Sequence, residues 1–455
     1  MAGVPSQREE LQASYAREDI IQHSILDLPD VRCPFVLYLP LFHLPLHDWH
    51  LTLPEQSCFP SVHDASSVAK DDDPMNYQAI PWHAVSQSMS VRSRTGEECF
   101  SALQERQRQR TLRNSHYNSY FSEIFDPELP FQDALVTSPP SIPLARFQWS
   151  NRRISPMIQH FQLRHLVVSP FKHHVFLLAR HGIIEHLNTI THEIENVAST
   201  STWDVTCLCA SSSYIAIGSA AGDLRLIDLH SGSELFCGRI GQNNTAITNY
   251  AAFNGCQQLI SANNDGNIRW WDIKNGLQLT TSWSEDWPIN HFAVSPTTGL
   301  LGLVGDCKDA HIVDTRSNSL AFTLRGHYDY GFATAWHPTD PHLFATGNQD
   351  RTTRIWDIRY NAAQLYCLRG KMGAVRSIGW HPQGKYFVFG EAADYVHVVS
   401  TDNYQREQII EGFGEVAGWS FDPSGDALYV GLAELYYGAL LCFDTSDPVM
   451  ETELV

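Results

Sequence analysis

The stretch Leu343-Phe344-Ala345-Thr346-Gly347-Asn348-Gln349-Asp350-Arg351-Thr352-Thr353-Arg354-Ile355-Trp356-Asp357 reads as two short strands joined by a polar turn, the second closing on Trp-Asp. Runs of this length, bounded by Gly, Asn and Asp, are the pattern of paired antiparallel strands. The second run recurs along the chain. Ile-Ile-Glu-His ends at His186, Leu-Ile-Asp at Asp228, Trp-Trp-Asp at Asp272, Ile-Val-Asp at Asp314, Ile-Trp-Asp at Asp357, Val-Val-Ser at Ser400 and Cys-Phe-Asp at Asp444. Successive ends lie 42, 44, 42, 43, 43 and 44 residues apart. A propeller blade of four antiparallel strands takes roughly 40–45 residues, and radial packing leaves only short, protected sheet edges. Seven periods therefore predict an all-β, seven-bladed propeller, a fold that suits binding better than chemistry.

Outward from the quoted stretch, Gly331 to Trp336 is expected to form the inner strand of the fifth blade, with His337-Pro338-Thr339-Asp340 as the following turn. The sixth repeats the plan with Val375 to Trp380, His381-Pro382-Gln383-Gly384, Tyr386 to Gly390 and Tyr395 to Ser400. The last period reaches its third strand at Asp444 and leaves a polar tail, so the outer place of that blade needs an upstream strand. An open edge would expose unpaired backbone donors and acceptors. Leu144 to Trp149 alternates enough to close the ring from that side.

Three regions follow. Residues 1–74 lack a sustained period and carry Pro, Ser and Asp clusters such as Lys70-Asp71-Asp72-Asp73-Pro74, the composition of a disordered segment. Residues 75–142 read as an arm: a Pro-free stretch from Glu97 to Phe121, rich in Glu, Gln, Arg and Leu, predicts a helix, and Asp126 to Ser141 is a Pro-rich linker. Within that helix Arg106, Arg108, Arg110 and Arg113 form a basic cluster that reads either as a solvated face or as a docking arm for an acidic partner or the propeller's own rim. Residues 143–455 make the propeller.

Charge narrows the partners. From Met157 onward 18 Lys and Arg face 31 Asp and Glu, and the whole chain carries a formal −19. An acidic surface disfavours non-specific binding to nucleic acid or to anionic membranes. No apolar run approaches the roughly 18–20 residues of a membrane span, and the acidic start, with Glu9, Glu10, Glu18 and Asp19, is wrong for a signal or transit peptide. The ten cysteines are scattered, with Cys207 and Cys209 on an expected strand, as reduced core thiols of a cytoplasmic or nuclear protein would be. Phosphate-binding Gly loops, zinc spacings and nucleophile elbows do not occur, so the expectation is a non-enzymatic protein without metal or cofactor.

Gly326-His327, Thr346, Asp350 and Trp356-Asp357 together resemble the full signature of the WD40-repeat family. The resemblance implies that His327, Thr346, Asp350 and Trp356 form a buried hydrogen-bond chain that rigidifies the blade. The third blade keeps Ser261, Asp265, Trp271 and Asp272 without a Gly-His, and the others keep only fragments; such degenerate blades are expected to hold by strand packing alone. A narrower likeness is to fungal and plant WD-repeat proteins of unassigned function. It rests on Phe161-Gln162-Leu163-Arg164-His165-Leu166, on Gln78-Ala79-Ile80-Pro81-Trp82 and on Arg108-Gln109-Arg110-Thr111-Leu112-Arg113 through Tyr117-Asn118-Ser119-Tyr120.

The function implied is a protein-interaction scaffold, and two candidate surfaces follow. Loops entering inner strands gather at one mouth of a propeller's channel, and here they carry Trp203, Trp287, Tyr328, Tyr330, Met372 and Phe413, residue types enriched at interface hot spots. Trp203 and Trp287 could equally wedge between blades as core; Tyr328, Tyr330 and Phe413, with Gly nearby, are the better candidates for exposure. The alternative partner is the propeller adaptor of cullin-4 ubiquitin ligases. Phe344-Ala345-Thr346, Asp350, Ile355-Trp356-Asp357 and Arg359 resemble the docking motif that some WD40 proteins use for it, with Arg359 offering a bidentate fork.

Overall fold

The computed structural model describes residues 121–446, apart from 243–245, 275, 361–363 and 435–436, together with 108, 110 and 111. The chain divides into two units, Met1–Asp72 and Asp73–Val455, and every described residue lies in the second. The region expected to be disordered over 1–74, the motif at 78–82 and most of the segment 97–121 fall outside the described residues. Residues 108, 110 and 111 are helical, as expected there.

Blade 5 shows the basic unit: Gly331–Trp336 lies innermost, followed by Leu343–Asn348, Thr352–Asp357 and the outer Tyr366–Arg369. The three inner strands sit between neighbouring blades and bury nearly every side chain, the third at all six positions. Such strands are stabilised on both faces, which is why they read as apolar runs. Blades 1 to 4 repeat the four-stranded plan from Val167–Phe171 to Ser319–Leu324.

Blades 6 and 7 share a strand. Glu407–Phe421 runs for 15 residues, pairing its first part with Ala393–Ser400 and its last with Ala427–Ala433, so it is outermost in one blade and innermost in the next. The outer place of blade 7 is filled from upstream: Arg146–Asn151 pairs antiparallel with Ala439–Asp444, Arg146 facing Asp444. Closure is as expected, but it begins two residues later than Leu144. The cause is Gln408, whose side-chain amide takes both the N–H (2.9 Å) and the C=O (2.7 Å) of Ala145 before the ladder can start. The result is a seven-bladed, all-β propeller whose inner strands contact one another in a closed ring.

Six of the seven inner strands carry a register shift around their second residue. The skipped residues are Thr206, Asn249, Asn290, Phe332, Arg376 and Ala417. A bulge re-aims its side chain, and here several are aimed at the neighbouring blade. The Thr206 hydroxyl donates to Thr248 O (2.6 Å), Asn249 Nδ2 to Ile289 O (2.9 Å) and Asn290 Nδ2 to Gly331 O (3.0 Å), while the Arg376 guanidinium lies 3.8 Å over the Phe332 ring. These links fix blade 2 to 3, 3 to 4, 4 to 5 and 5 to 6 at one level of the ring.

Candidate functional site

In blade 5, Trp356 Nε1 donates to Thr346 Oγ1 at 2.9 Å, Thr346 Oγ1 lies 2.7 Å from His327 Nε2, and His327 Nδ1 lies 2.9 Å from Asp350 Oδ2. Indole only donates and a carboxylate only accepts, so the protons run one way: Trp356 to Thr346, Thr346 to His327, His327 to Asp350. Burial holds the His327 pKa below its ordinary value even with Asp350 beside it, which keeps the ring neutral as this direction requires. Burial alone would raise the Asp350 carboxyl. The bonds from His327, Thr352 and the Tyr328 N–H outweigh it and hold the group below the usual carboxylate range. All four residues are buried, so the chain fastens the loop at Tyr328 and offers nothing to a substrate.

The expectation that degenerate blades hold by strand packing alone needs correction in two places. In blade 3, Trp271 still donates to Ser261 (3.0 Å), but the missing histidine is replaced by Arg269, which forks onto Asp265 at 3.1 and 2.7 Å. Asp265 also receives the Gln242 N–H of the entering loop. In blade 6 the buried His397 sits between Glu407 (Nδ1, 2.6 Å) and Glu391 (Nε2, 2.8 Å). Glu391 further accepts the N–H groups of Lys371, Met372 and Gly373 at 2.6, 2.7 and 2.7 Å. Burial pulls the His397 pKa down, but the bonds and charges of the two glutamates prevail and raise it to about 9. The ring is therefore an imidazolium at neutral pH, donating from both nitrogens. Sequence reading missed both ties because it looked for one set of residue types; the available signals were an Arg four residues after the Asp of the preceding turn and a His with a Glu on each adjacent strand.

The chain reverses at every turn, so loops entering inner strands share one face of the ring with the turns between second and third strands. Arg359, just after a third strand, belongs to the opposite face. On that opposite face Arg359 is exposed, and its guanidinium engages Asp357 through Nε (3.0 Å) and NH2 (2.6 Å). The fork expected for an adaptor is occupied within its own turn.

On the face of the entering loops the expected aromatics divide. Trp287 is a correction: it is 8% exposed, packed with Ile289 and Phe292, and its ring fills the space where a Cβ on Gly305 would stand. It wedges between strands and has no surface to give a partner. Met372 is likewise core, and Trp203 is partly buried against blades 1 and 2. Tyr328 is half-buried beneath the protein's own Phe125, with ring centroids 5.7 Å apart. Tyr330 and Phe413 are half-buried, the latter edge-on to Tyr437 at 5.5 Å.

The ring's axis is filled. His165 of blade 1, Tyr250 of blade 3 and His291 of blade 4 meet with centroids 3.8 to 4.8 Å apart, and blade 1 does not adjoin blades 3 and 4, so these rings can meet only at the centre. His291 Nδ1 accepts the Thr334 N–H at 3.1 Å, which places the imidazole proton on Nε2. Burial depresses both histidines, His165 to about 4 and His291 well below its ordinary value, so the plug is uncharged. Among the described residues no cluster of His, Cys, Asp and Glu could hold a metal ion, and the seven described cysteines are free, four of them buried.

Comparison with known proteins agrees with this architecture. The family described as WD domain, G-beta repeat matches residues 318–357, which include the hydrogen-bond chain of blade 5. A ribosome biogenesis protein WDR12 homolog of Trichoplax adhaerens is 27% identical over 157 residues, 33% of this chain and 34% of its own length. The target of rapamycin complex subunit LST8 of Mus musculus is 23% identical over 176 residues, 38% of this chain and 52% of that protein. The matched part spans about a third to a half of these relatives. Among solved structures, a chain of a mitotic checkpoint complex superposes with a TM-score of 0.57 at 19% identity, covering 65% of this chain and 93% of that one, a likeness of fold.

Proposed function

We infer, from the premise that this chain belongs to the WD40-repeat family, that it is a non-enzymatic platform on which other proteins assemble. The observation that carries this reading is the filled axis. With His165, Tyr250 and His291 packed at the centre and His327 and His397 tied into blade networks, the outer faces are what remain to do work. Of these, the face of the entering loops is the better candidate, because its loops are clamped by Asp265, Asp350 and Glu391 and so present a surface already ordered. A preordered surface loses less conformational freedom on binding. The relatives are named for different roles, a ribosome biogenesis protein and a target of rapamycin complex subunit, so the process served does not transfer from them. Reduced, partly buried cysteines suit the cytoplasmic or nuclear setting expected from the sequence.

Tyr330 and Phe413 are the residues to test. Affinity purification of wild type and of the Tyr330→Ala, Phe413→Ala variant, with bound proteins identified by mass spectrometry, should show a partner set that the variant loses, since hot-spot truncations commonly cost about 2 kcal/mol or more. An unchanged set, with the variant folded, would move the interface away from this face.

A further inference from the structure

Residues 121–138 lie across blade 5 before the chain reaches its closing strand, and they make contacts that closure does not need. Two guanidinium groups lie over the Phe131 ring, Arg369 at 3.9 Å and Arg351 at 4.8 Å. Phe121 lies 5.6 Å from Arg351 and packs edge-on against Phe125, which covers Tyr328. Arg351 also reaches Pro127 O at 3.4 Å. The segment adds backbone bonds at the blades' outer edges: Leu135 N–H to Cys367 O (2.8 Å), Ser138 N–H to Gln405 O (2.8 Å) and Glu407 N–H to Ser138 O (2.9 Å). Two of its apolar side chains face outward, Ile124 90% and Val136 91% exposed.

The rim beneath is built to receive such a strip. Asp329 is fully buried, and its carboxylate accepts the Ser122 N–H (2.9 Å) and the Tyr330 N–H (2.8 Å). Burial pushes its pKa up to about 7 against those two bonds, with Asp350 and Glu123 adding to the rise, so the Ser122 N–H is one of only two bonds shown to hold this carboxylate under the strip. Arg351 holds φ at 67°, a left-handed conformation that side chains other than Gly, Asn and Asp seldom adopt. Charges are complementary at the two arginines: the strip carries Glu123, Asp126 and Glu128 between its phenylalanines and Asp133 after them, and the rim presents Arg351 and Arg369, while Glu123 brings like charge towards Asp329. Guanidinium stacking on aromatic rings at such sites contributes attraction beyond area burial.

We propose that the blade 5 rim formed by Tyr328, Asp329, Arg351 and Arg369 is a docking site for an extended acidic segment with spaced phenylalanines, occupied in cis by residues 121–133 and taken in trans by a partner segment of the same chemistry that displaces them. This rests on the platform reading and names the partner's chemistry at that face. The tether gives the cis segment an effective concentration in the millimolar range, so a free competitor meets an occupied site until the cis contacts weaken.

The test uses the full chain and a fluorescein-labelled peptide with the sequence of residues 119–135, followed by anisotropy. Phe125→Ala with Phe131→Ala should bind the peptide at least about tenfold more tightly than wild type, as expected when an intramolecular competitor is removed. Adding Arg351→Ala and Arg369→Ala should abolish binding. No binding by a cooperatively melting Phe125, Phe131 variant, or equal binding by it and wild type, overturns the proposal. Should that variant fail to fold, hydrogen exchange on wild type decides: the Ser122 and Leu135 amides should exchange at least about a hundredfold faster than those of Gly331–Trp336 if the strip opens independently. Equal protection would make it an integral part of the blade. Co-purifying proteins retained by a protein that cannot bind the peptide would overturn this site and leave the platform reading standing.

Discussion

Replacing His397 with leucine should destabilise the propeller by several kcal/mol, and the loss should depend on pH. The imidazolium has no exposed side chain and lies between Glu391 at 2.8 Å and Glu407 at 2.6 Å. Without it, two buried carboxylates face each other, Glu391 keeping only the loop N–H groups and Glu407 the Thr137 hydroxyl. Removing one partner of a buried charge pair typically costs about 3–5 kcal/mol, because the remaining charge stays buried. For a domain of this size that is a fall in Tm of the order of 10 °C. The pH dependence follows from the raised pKa. Below pH 6.5 the imidazole is protonated in folded and unfolded chains alike, and its contribution is full. Above that the unfolded chain gives up the proton while the folded protein keeps it, until the contribution is lost as pH rises through about 9. The interval corresponds to about 3 kcal/mol, within the range expected from the substitution. Calorimetric melts of wild type and His397→Leu, taken from about pH 6 to about pH 10, should therefore converge by roughly that amount as pH rises. Parallel curves would mean that His397 is not charged in the folded protein, and the account of blade 6 would fall.

Asp350→Ala removes the acceptor of His327 Nδ1, of the Tyr328 N–H and of both Thr352 donors, and buried donors without partners cost about 1–3 kcal/mol each. A thermal melt within error of wild type would contradict that burial. Removing residues 1–74 should leave a folded protein that melts as the full chain does, since the described strands from Arg146–Asn151 to Ala439–Asp444 already fill every place in the seven blades. Removing residues 1–152 takes away Arg146–Asn151 and opens the edge of Ala439–Asp444, so size-exclusion chromatography should show aggregation; an equally soluble, equally heat-resistant product would rule out the closing role.

Much of the fold was legible because the inner three strands of each blade are buried on both faces and so must be apolar. Gly331–Trp336, Thr352–Asp357 and Val375–Trp380 stand where the sequence pattern puts them. The outer strands were not legible. Gln278–Ser284 exposes six of its seven side chains, and a strand held mainly by its backbone ladder leaves no hydrophobic period to read. The shared strand Glu407–Phe421 was hidden for a different reason: Phe413, with Gly nearby, reads as part of a loop, whereas Gly414 and Gly418 adopt φ values of 131° and 155° that let one strand bend from the rim of blade 6 to the centre of blade 7. At the candidate site, the Trp287 ring could not be assigned to core or surface from its own neighbours. What settles it is Gly305, 18 residues away, whose missing Cβ makes the slot.

No residue type is common to the ties of blades 3, 5 and 6, but one functional group is. Each uses a carboxylate at or near the turn after the second strand to hold backbone N–H groups of the loop that enters the inner strand: Asp265 holds Gln242, Asp350 holds Tyr328, and Glu391 holds Lys371, Met372 and Gly373. Asp394 does the same for Gly414 on the way into blade 7, at 2.8 Å. The cation that balances the carboxylate varies, being Arg269 in blade 3 and the imidazolium of His397 in blade 6, while blade 5 uses a neutral histidine relay. The geometry needs only an acceptor below the loop, because orphaned N–H groups at a bend have few other partners. Any chemistry that keeps the acceptor ionised will serve. A blade can therefore lose the histidine signature and still present an ordered loop, which is why that signature marks one clamped loop on a face that has at least four.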